Sequence, residues 1–362
     1  MELASLILEF RSSLEIQYAD KLLPSHRRAM DAMTRCRTTA AGEVLARCDD
    51  CGETQWNPSS CGHRSCPKCQ NHDATTWLDR QRDKLLPTPY FLLTFTLPAE
   101  LRFLAWNHQR KVYDAMFAAV SQTLKEFGLH PKHLGAHIGF TMILQTHSRR
   151  LTYHPHLHVI VPGGGIDPGK HHWKRVPKKY LFNEKAMAAV FRGKLYSEIE
   201  GRELEMPTHV PTEWVVDCRH VGRGEKALEY LSRYLYRGVI SEANILFEKD
   251  GQVTFGYTDW QTKVSRTETL SGADFLWRVL QHVLPRGFHR VRDYGLLHHS
   301  ARGKLKLIQY LMGVQIGATP AKRPCYACSQ CGGQMRTIGF FRSGGLMRIR
   351  APIAKKQEGL AC

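Results

Sequence analysis

The spacing of the cysteines constrains the fold of this chain more than any other feature of its sequence. Six of the eleven cysteines lie between residues 36 and 69, and three more lie between residues 325 and 331. Close Cys-x-x-Cys pairs in a chain without a secretory signal are typical of metal sites in a reducing compartment rather than of disulfides. We therefore expect a small zinc-binding domain over residues 1–75, in which metal binding supplies folding free energy.

Two of these pairs, Cys48-x-x-Cys51 and Cys66-x-x-Cys69, are separated by 14 residues. Four thiolates complete a tetrahedral zinc site, so we predict that the two pairs bind one Zn²⁺ together. The remaining cysteine and histidine side chains of this segment are candidates for a second site: Cys36, Cys61, His63 and His72. The late cysteines form a weaker cluster, for which a nearby histidine or Cys362 is the candidate fourth ligand: Cys325, Cys328 and Cys331.

Helix and strand patterns follow one another along the chain without a regular β-α-β rhythm. Apolar residues at three- and four-residue steps predict helices over residues 1–35, 104–127, 184–200, 224–237 and 273–283. Alternating apolar runs predict strands over residues 90–98, 139–148, 150–162 and 213–221, with a strand pair over 245–268. We therefore expect an α+β fold, in which a mainly antiparallel sheet flanked by helices occupies residues 76–300 and a basic, cysteine-containing tail occupies residues 301–362.

The stretch "HPHLHVIVPGGG", residues 154–165, places three histidines at alternate positions before an apolar run. Residues two apart on a strand point to the same face, so His156 and His158 project side by side, with Leu157 turned into the core. Two imidazoles can hold one cation and leave coordination positions open for a substrate. Candidates for a third ligand are His154 and Gln145, the latter on the preceding strand. Mg²⁺ or Mn²⁺ handling a phosphate fits this donor set, and Zn²⁺ is the competing cation.

The stretch "GEKALEYLSRYLYRG", residues 224–238, predicts a helix with two tyrosines beside its apolar face. Tyr230 and Tyr234 are four residues apart and so lie one above the other. Lys226, Arg233 and Arg237 form the next stripe, which is suited to contacts with DNA phosphates. The tyrosines therefore either pack at the core boundary, as amphipathic side chains commonly do, or face a phosphodiester.

The charge balance indicates a polyanionic partner. Lysine and arginine number 51 against 33 acidic residues, which gives a formal net charge of +18. Such an excess favours nucleic acid through counterion release, and the sequence has neither a lipidation signal nor a compact basic amphipathic helix that would favour a membrane surface. No apolar run approaches the roughly 18 residues that span a bilayer. We expect a cytoplasmic protein that binds DNA.

Taken in order, these motifs resemble those of the HUH-type, two-tyrosine rolling-circle transposases of bacterial insertion sequences. The resemblance covers most of the chain and rests on the cysteine segment ending "CPKCQ", on "FTLP", "HPHLHVIVPGGG", "YLSRYLYRGVIS" and "LPRGFHRVRDYGLL". It implies an HUH endonuclease-like sheet in which His156 and His158 hold a catalytic divalent metal. It also implies that Tyr230 and Tyr234 are the nucleophiles, and that the zinc segment helps to recognise the ends of the element.

The implied reaction is transesterification on single-stranded DNA in the bacterial cytoplasm, at the nucleoid. One tyrosine would form a 5′-phosphotyrosyl link and release a 3′-hydroxyl, and the second would allow another cleavage before the first link is resolved. A competing class, a non-catalytic zinc-dependent DNA-binding protein, explains the charge and the cysteines but not the histidine and tyrosine pairs. A third class, a barrel-type metal hydrolase, requires regular β-α repeats that this sequence lacks.

Overall fold

A computed structural model describes residues 1–69, 71–169, 172–176, 181–226, 228, 239–259, 262–314, 326–341 and 348–349, without the side chains of 71–73 and 348–349. The helices are α1 (Leu3–Gln17), α2 (Pro24–Arg35), α3 (Asn71–Arg82), α4 (Arg102–Asn107), α5 (Gln109–Leu129), α6 (Glu184–Glu200), α7 (Gly272–Leu280) and α8 (Arg302–Leu311). The strands are β1 (Glu43–Cys48), β2 (Thr54–Pro58), β3 (Pro89–Thr96), β4 (Phe140–His147), β5 (Tyr153–Pro162), β6 (Gly164–Ile166), β7 (Trp173–Arg175), β8 (Val216–Arg223), β9 (Ile245–Lys249), β10 (Gln252–Thr258), β11 (Ser265–Ser271), β12 (Val291–Tyr294), β13 (Tyr326–Ala327), β14 (Gln334–Phe341) and β15 (Arg348–Ile349).

Five antiparallel strands in the order β12-β4-β5-β3-β8 form what we call the histidine sheet. Strand β5 lies at its centre, and its odd-numbered residues Leu157, Val159 and Val161 are buried in one core with side chains of α5 and α6. Its even-numbered residues therefore face away from these two helices. The expected α+β class, with an antiparallel sheet flanked by helices, is confirmed.

The opposite face of the histidine sheet carries a smaller apolar cluster. Ile143 of β4 and Ile160 of β5 pack there with Trp77 of α3 and with Leu228. Leu228 belongs to the segment in which the sequence predicts the tyrosine helix, and its side chain is 3% exposed. This segment therefore meets the sheet on the face to which the even-numbered residues of β5 point.

The predicted helical start of the chain divides into two helices, α1 and α2. They share a second core with α7 and with the three-stranded sheet β11-β10-β9, in which Leu6 and Phe275 are fully buried. Tyr18 stacks on Trp277 with ring centroids 4.7 Å apart. The first residues of the chain are thus packed on an element that lies some 250 residues later in the sequence, as the separation of 256 between the hydrogen-bonded Tyr18 and Asp274 illustrates.

A further five-stranded sheet, which we call the cysteine sheet, joins early and late parts of the sequence. Its order is β13-β14-β1-β2, with β15 paired to β14. Strand β14 pairs along the whole of β1, from Glu43 opposite Phe341 to Cys48 opposite Met335. The division of the chain at residues 75 and 300 stays a prediction, but strands from the predicted tail complete a sheet that begins in the predicted zinc domain. Within the described ranges, no helix has the length and apolar character to cross a bilayer.

Candidate active site and metal centres

His156 and His158 lie side by side on the central strand β5, and both rings point at one side chain. The Nε2 atoms of His156 and His158 are 3.2 Å and 3.1 Å from Oε1 of Gln145, on the neighbouring strand β4. Antiparallel pairing sets this arrangement, because Gln145 is directly opposite His156. Ligands in cis positions around an ion at roughly 2.1 Å are about 3 Å apart, so both distances to Gln145 Oε1 fit donors to one divalent cation.

Hydrogen bonds on the far side of each ring orient the imidazoles. His156 Nδ1 donates to the carbonyl of His154 at 2.7 Å, so its Nε2 carries the lone pair. His158 Nδ1 is 3.1 Å from the hydroxyl of Thr94, which can accept its proton in the same way. Partners of this kind hold the tautomer and ring orientation that a metal ligand needs.

The contact between Gln145 Oε1 and His156 Nε2 joins two acceptors, and no proton is available between them. A cation would satisfy both atoms, and without one a turned amide would donate from Nε2 instead. In the present orientation Gln145 Nε2 is buried and has no hydrogen-bond partner among the described residues. In either orientation the two imidazoles converge on the end of this side chain.

Burial keeps the paired imidazoles neutral. Burial is the largest cause that lowers the pKa of His158 to about 3, and the nearby charges of His156 and His147 add to it. Burial also lowers the pKa of His156, against an opposing hydrogen bond to the His154 carbonyl. Both rings therefore have free lone pairs at neutral pH, which is the state that coordinates a metal.

His154, the other candidate third ligand, is engaged elsewhere. Its Nδ1 accepts a hydrogen bond of 2.8 Å from Arg102, and its ring centroid lies 5.3 Å from that of His156. Among the described histidine, cysteine and acidic side chains, groups of three or more ligand atoms within 4.8 Å of one another consist of cysteines alone. The structure therefore brings Gln145, and not His154, to the two histidines.

The predicted nucleophiles and most of their cationic neighbours lie outside the described residues: Tyr230, Tyr234, Arg233 and Arg237. Lys226 is described and exposed at the start of this segment, and Leu228 is buried against the histidine face of the sheet. Gly224 lies so close to the ring of Tyr90 that an added Cβ would be 2.9 Å from it. These contacts fix where the segment begins relative to the sheet.

Two arginines that are not among the predicted site residues line a small cavity beside Gln145 and His147: Arg64 and Arg290. Arg64 comes from the cysteine-rich segment and donates to the carbonyls of Phe288 and Pro285 at 2.8 Å and 3.1 Å. Single arginines carry no spacing pattern, so their position beside Gln145 could be seen only in the fold. The cysteine-rich segment thus reaches the neighbourhood of the candidate active site.

The cysteines form two four-thiol groups, and their membership corrects the sequence-based pairing. One group is Cys36, Cys61, Cys66 and Cys69, and the other is Cys48, Cys51, Cys328 and Cys331. The prediction that Cys48 and Cys51 share one site with Cys66 and Cys69 is therefore wrong. The reason lies in the hairpin β1-β2, which has Cys48 and Cys51 at its turn and Cys36 and Cys61 beyond its open end. A six-residue strand separates two such positions by roughly 18 Å, too far for one ion.

The other predicted zinc ligands have different outcomes. Cys36 and Cys61 join Cys66 and Cys69, and the sulfurs of Cys61 and Cys69 are 3.6 Å apart. His63 stays outside this four-thiol group and accepts a hydrogen bond at Nδ1 from the Ser65 amide. Three candidates lie beyond what the structure describes: Cys325, Cys362 and the side chain of His72.

A signal for the correct pairing was present in the sequence. Cys-x-x-Cys-Gly occurs as "CDDCG" at residues 48–52 and again as "CSQCG" at 328–332, whereas residues 66–70 read "CPKCQ". The shared glycine marks the first two as the same type of turn.

Family models match two parts of the chain. A model described as "Putative transposase" matches residues 139–304, which include the histidine strand. A model described as "Transposase zinc-binding domain" matches residues 8–97, which include six of the cysteines.

Two relatives extend this likeness over most of the sequence. The chain is 32% identical to the "Putative transposase y4qJ" of Sinorhizobium fredii (strain NBRC 101917 / NGR234), over 94% of this chain and 95% of the relative. It is 28% identical to the transposase for insertion sequence element IS801 of Pseudomonas savastanoi pv. phaseolicola, over 80% of this chain and 74% of that one.

Among solved structures, the conjugative relaxase TrwC in complex with oriT DNA overlaps 62% of this chain and 74% of the relaxase chain. The sequence identity is 12% and the TM-score is 0.26, which is too low to establish a shared function.

Proposed function

This chain belongs to a family of insertion-sequence transposases with an N-terminal zinc-binding domain, and we propose that it nicks and joins single-stranded DNA by metal-assisted attack of a tyrosine. The observation that carries the proposal is that Nε2 of His156 and Nε2 of His158 both lie about 3 Å from Oε1 of Gln145, on the central strands of the histidine sheet. These three residues would hold Mg²⁺ or Mn²⁺. When bound, such an ion polarises a phosphate oxygen and leaves positions free for the DNA.

Tyr230 and Tyr234 are the proposed nucleophiles. Leu228, two residues before Tyr230, packs with Ile160, which is two residues beyond His158 on the same face of β5. This contact supports a tyrosine segment that begins over the histidine face. The phenol oxygen would bond to phosphorus as the bond from phosphorus to O3′ breaks, so that the phenol loses a proton and the departing 3′-oxygen gains one. The DNA 5′ end then stays on the tyrosine, and the reverse reaction with another 3′-hydroxyl joins strands.

Cationic side chains would hold the DNA at this site. Lys226 is exposed at the start of the tyrosine segment, and Arg233 and Arg237 follow it at helical spacing in the sequence. Such residues contact phosphates, which positions a strand without reading its bases. The second tyrosine would accept a second strand end while the first link persists, as one-ended strand transfer in the bacterial cytoplasm requires.

Cys36, Cys61, Cys66 and Cys69 would hold a structural Zn²⁺, because four thiols within 4.8 Å of one another match the donor set of a closed zinc site. The same segment supplies Arg64, whose two hydrogen bonds to the carbonyls of Pro285 and Phe288, between α7 and β12, tie it to the catalytic part of the chain. We propose that the zinc-binding domain recognises the ends of the element and presents them to the histidine face.

The test is to incubate the full-length protein with labelled single-stranded DNA from an end of its element, together with Mg²⁺ or Mn²⁺. We expect a protein–DNA adduct that survives denaturation and that the variant Tyr230→Phe/Tyr234→Phe cannot form. Tyr236→Phe is the matched control, since it removes a phenol from the same segment on the other side of the predicted helix. The control should form the adduct at the normal rate.

Two outcomes would contradict the proposal. An adduct that persists in the double tyrosine variant would show that another residue is the nucleophile. Binding of the DNA without any adduct, with each of the end sequences, would favour the competing class of a zinc-dependent DNA-binding protein that performs no chemistry.

A further inference from the structure

We infer that Cys48, Cys51, Cys328 and Cys331 form a second zinc site. This site holds the late strands of the cysteine sheet, β13 and β14, against the zinc-binding domain. The matched zinc-binding model ends at residue 97, so two of these four ligands lie far outside it. The inference rests on the geometry of the cysteine sheet and does not depend on the proposed DNA chemistry.

The two Cys-x-x-Cys-Gly segments adopt the same local conformation. Gly52 and Gly332, each directly after the second cysteine, have φ angles of +76° and +73°, a region that favours glycine. The amide of the first cysteine donates across each turn to the residue five positions later, from Cys48 to Glu53 at 2.8 Å and from Cys328 to Gly333 at 2.9 Å.

Matched turns of this type present two sulfurs on one side, with backbone amides nearby that stabilise thiolate charge. The Gln330 amide, for example, donates to the sulfur of Cys328 at 3.4 Å. Each turn thus supplies half of a tetrahedral site, and two such halves make a closed one.

The sulfur atoms of the two turns face each other at short range. Sγ of Cys331 is 3.5 Å from Sγ of Cys48 and 3.5 Å from Sγ of Cys51, and Sγ of Cys51 is 3.6 Å from Sγ of Cys328. A disulfide would place two sulfurs about 2.05 Å apart. Zinc–sulfur bonds of about 2.3 Å in a tetrahedron separate the sulfurs by about 3.8 Å, which is close to what is observed.

The pairing of β14 with β1 brings these turns together. Among the described residues, the apolar cluster at these turns is small: Ala46, Cys48, Cys328 and Met335. The ion pair between Arg336 and Asp49, at 3.3 Å, is half exposed and contributes little. A domain with so small an interior commonly derives its folding free energy from a structural metal.

The first test counts zinc in the full-length protein by elemental mass spectrometry after purification under reducing conditions. Cys328→Ser/Cys331→Ser should lose one zinc ion per chain relative to the unaltered protein. Cys48→Ser/Cys51→Ser should lose that same ion, so the variant with all four changes should lose no more than either pair. Cys218→Ser is the control, because Cys218 belongs to neither four-thiol group, and it should lose none.

Unchanged zinc content in Cys328→Ser/Cys331→Ser would overturn the inference. So would the loss of only one ion when Cys48→Ser/Cys51→Ser and Cys66→Ser/Cys69→Ser are combined in one chain. That result would mean that those four cysteines bind a single ion together. A mass decrease of two hydrogens per cysteine pair in the unaltered, zinc-free protein would assign disulfides instead and would also overturn it.

A second test measures amide hydrogen exchange, which separates loss of a ligand from general misfolding. Cys48→Ser/Cys51→Ser should speed exchange in residues 334–341, although these lie about 280 positions away in sequence, while β5 keeps its protection. Cys218→Ser should change neither. Unaltered exchange in residues 334–341 would mean that the thiols do not hold the late strands. The proposed role of the site would then be rejected even if zinc were lost.

Discussion

The two five-stranded antiparallel sheets of this protein differ in what lies beneath them. The histidine sheet rests on large side chains of α5 and α6 that are less than 2% exposed, among them Tyr113, Phe117 and Phe191. Beneath the cysteine sheet, the described residues provide a cluster of four small or medium side chains. The number of paired strands is the same, but the apolar area removed from water, and hence the hydrophobic stabilisation, is far smaller in the second.

Because of this difference, we expect a metal ion to serve a different purpose in each sheet. In the histidine sheet, the core and the hydrogen bonds to Nδ1 hold the donor atoms in place, so a cation would take part in the reaction rather than stabilise the fold. In the cysteine sheet, strands distant in sequence meet over a minimal core, so a cation would be part of the scaffold.

The largest effect should follow removal of metal. A strong zinc chelator should speed amide exchange in β1 and β14 by about 1000-fold or more, because the proposed thiolate–zinc bonds would supply most of the local stability. Exchange in β5 should change by less than about tenfold, since its stability comes from the apolar core. Exchange detected by mass spectrometry resolves both sheets in one sample. A parallel loss of protection in both would show that they unfold as one unit.

Replacement of a proposed histidine ligand should have the reverse pattern. His156→Asn should reduce adduct formation by at least about 100-fold, because the site would lose a donor to the ion that polarises the phosphate. Zinc content and amide exchange in β1 should stay as they are. His154→Asn is the matched control on the same strand, and it should cost less activity because His154 contacts Arg102 rather than the other two donors. Equal losses in the two variants would remove the distinction between them.

Gln145 provides a finer test of the preformed site. Gln145→Ala should weaken Mn²⁺ binding by at least about 10-fold, because removal of a group behind the ligands already costs that much and Gln145 is a proposed ligand. Gln145→Glu should restore or tighten binding, because a carboxylate oxygen replaces the amide oxygen. Titration with Mn²⁺ followed by electron paramagnetic resonance measures both affinities. Unchanged binding in the alanine variant would leave the third ligand unassigned.

Acid should destabilise the protein through its buried histidines. Burial lowers the pKa of His26 to about 4 and that of His282 to about 3. Unfolded histidine has a pKa of about 6.5, so below that pH the unfolded chain takes up protons that the folded chain does not. Each such histidine should then lower the free energy of unfolding by about 1.4 kcal/mol per pH unit, from about pH 6.5 down to its folded pKa.

Denaturant titrations between pH 7 and pH 5 measure this slope. In the folded protein, His26 Nδ1 accepts a hydrogen bond from the Leu23 amide. The variant His26→Gln keeps a side-chain acceptor for this amide, and it should reduce the slope of the unfolding free energy against pH by the contribution of one proton. A slope that is the same in this variant would mean that His26 is protonated in the folded protein. Acid should act on the cysteine sheet by a different route, through protonation of thiolates and release of zinc.

Local periodicity predicted much of the histidine sheet and little of the cysteine sheet. Alternation along one strand determines which residues share a face, so the neighbouring positions of His156 and His158 followed from sequence. The choice between His154 and Gln145 did not, because it depends on the register between β4 and β5. Helix α6 was predicted with its observed bounds, since its apolar periodicity is a property of one segment.

The grouping of the cysteines depends on which distant segments pair with each other. The spacing of cysteines within one segment does not specify that pairing. A Cys-x-x-Cys pair specifies half of a site, and the partner half is selected by the length of the hairpin β1-β2 and by the pairing of β1 with β14. The role of Tyr230 and Tyr234 likewise stays a prediction, although the burial of Leu228 agrees with the apolar face expected for their helix.

The sequence separation within the cysteine sheet also has a consequence for how the protein is made. Cys48 and Cys331 are 283 positions apart, so β1 leaves the ribosome long before its partner β14 exists. At about 5 to 20 residues per second, the wait is roughly 15 to 60 s, during which one edge of β1 has no native partner and the Cys48–Cys51 turn holds only two thiols. A message cut short after the histidine and tyrosine motifs would encode the candidate active site yet leave this sheet unfinished. The cysteine sheet can therefore be completed only after the ribosome has translated the Cys328–Cys331 turn.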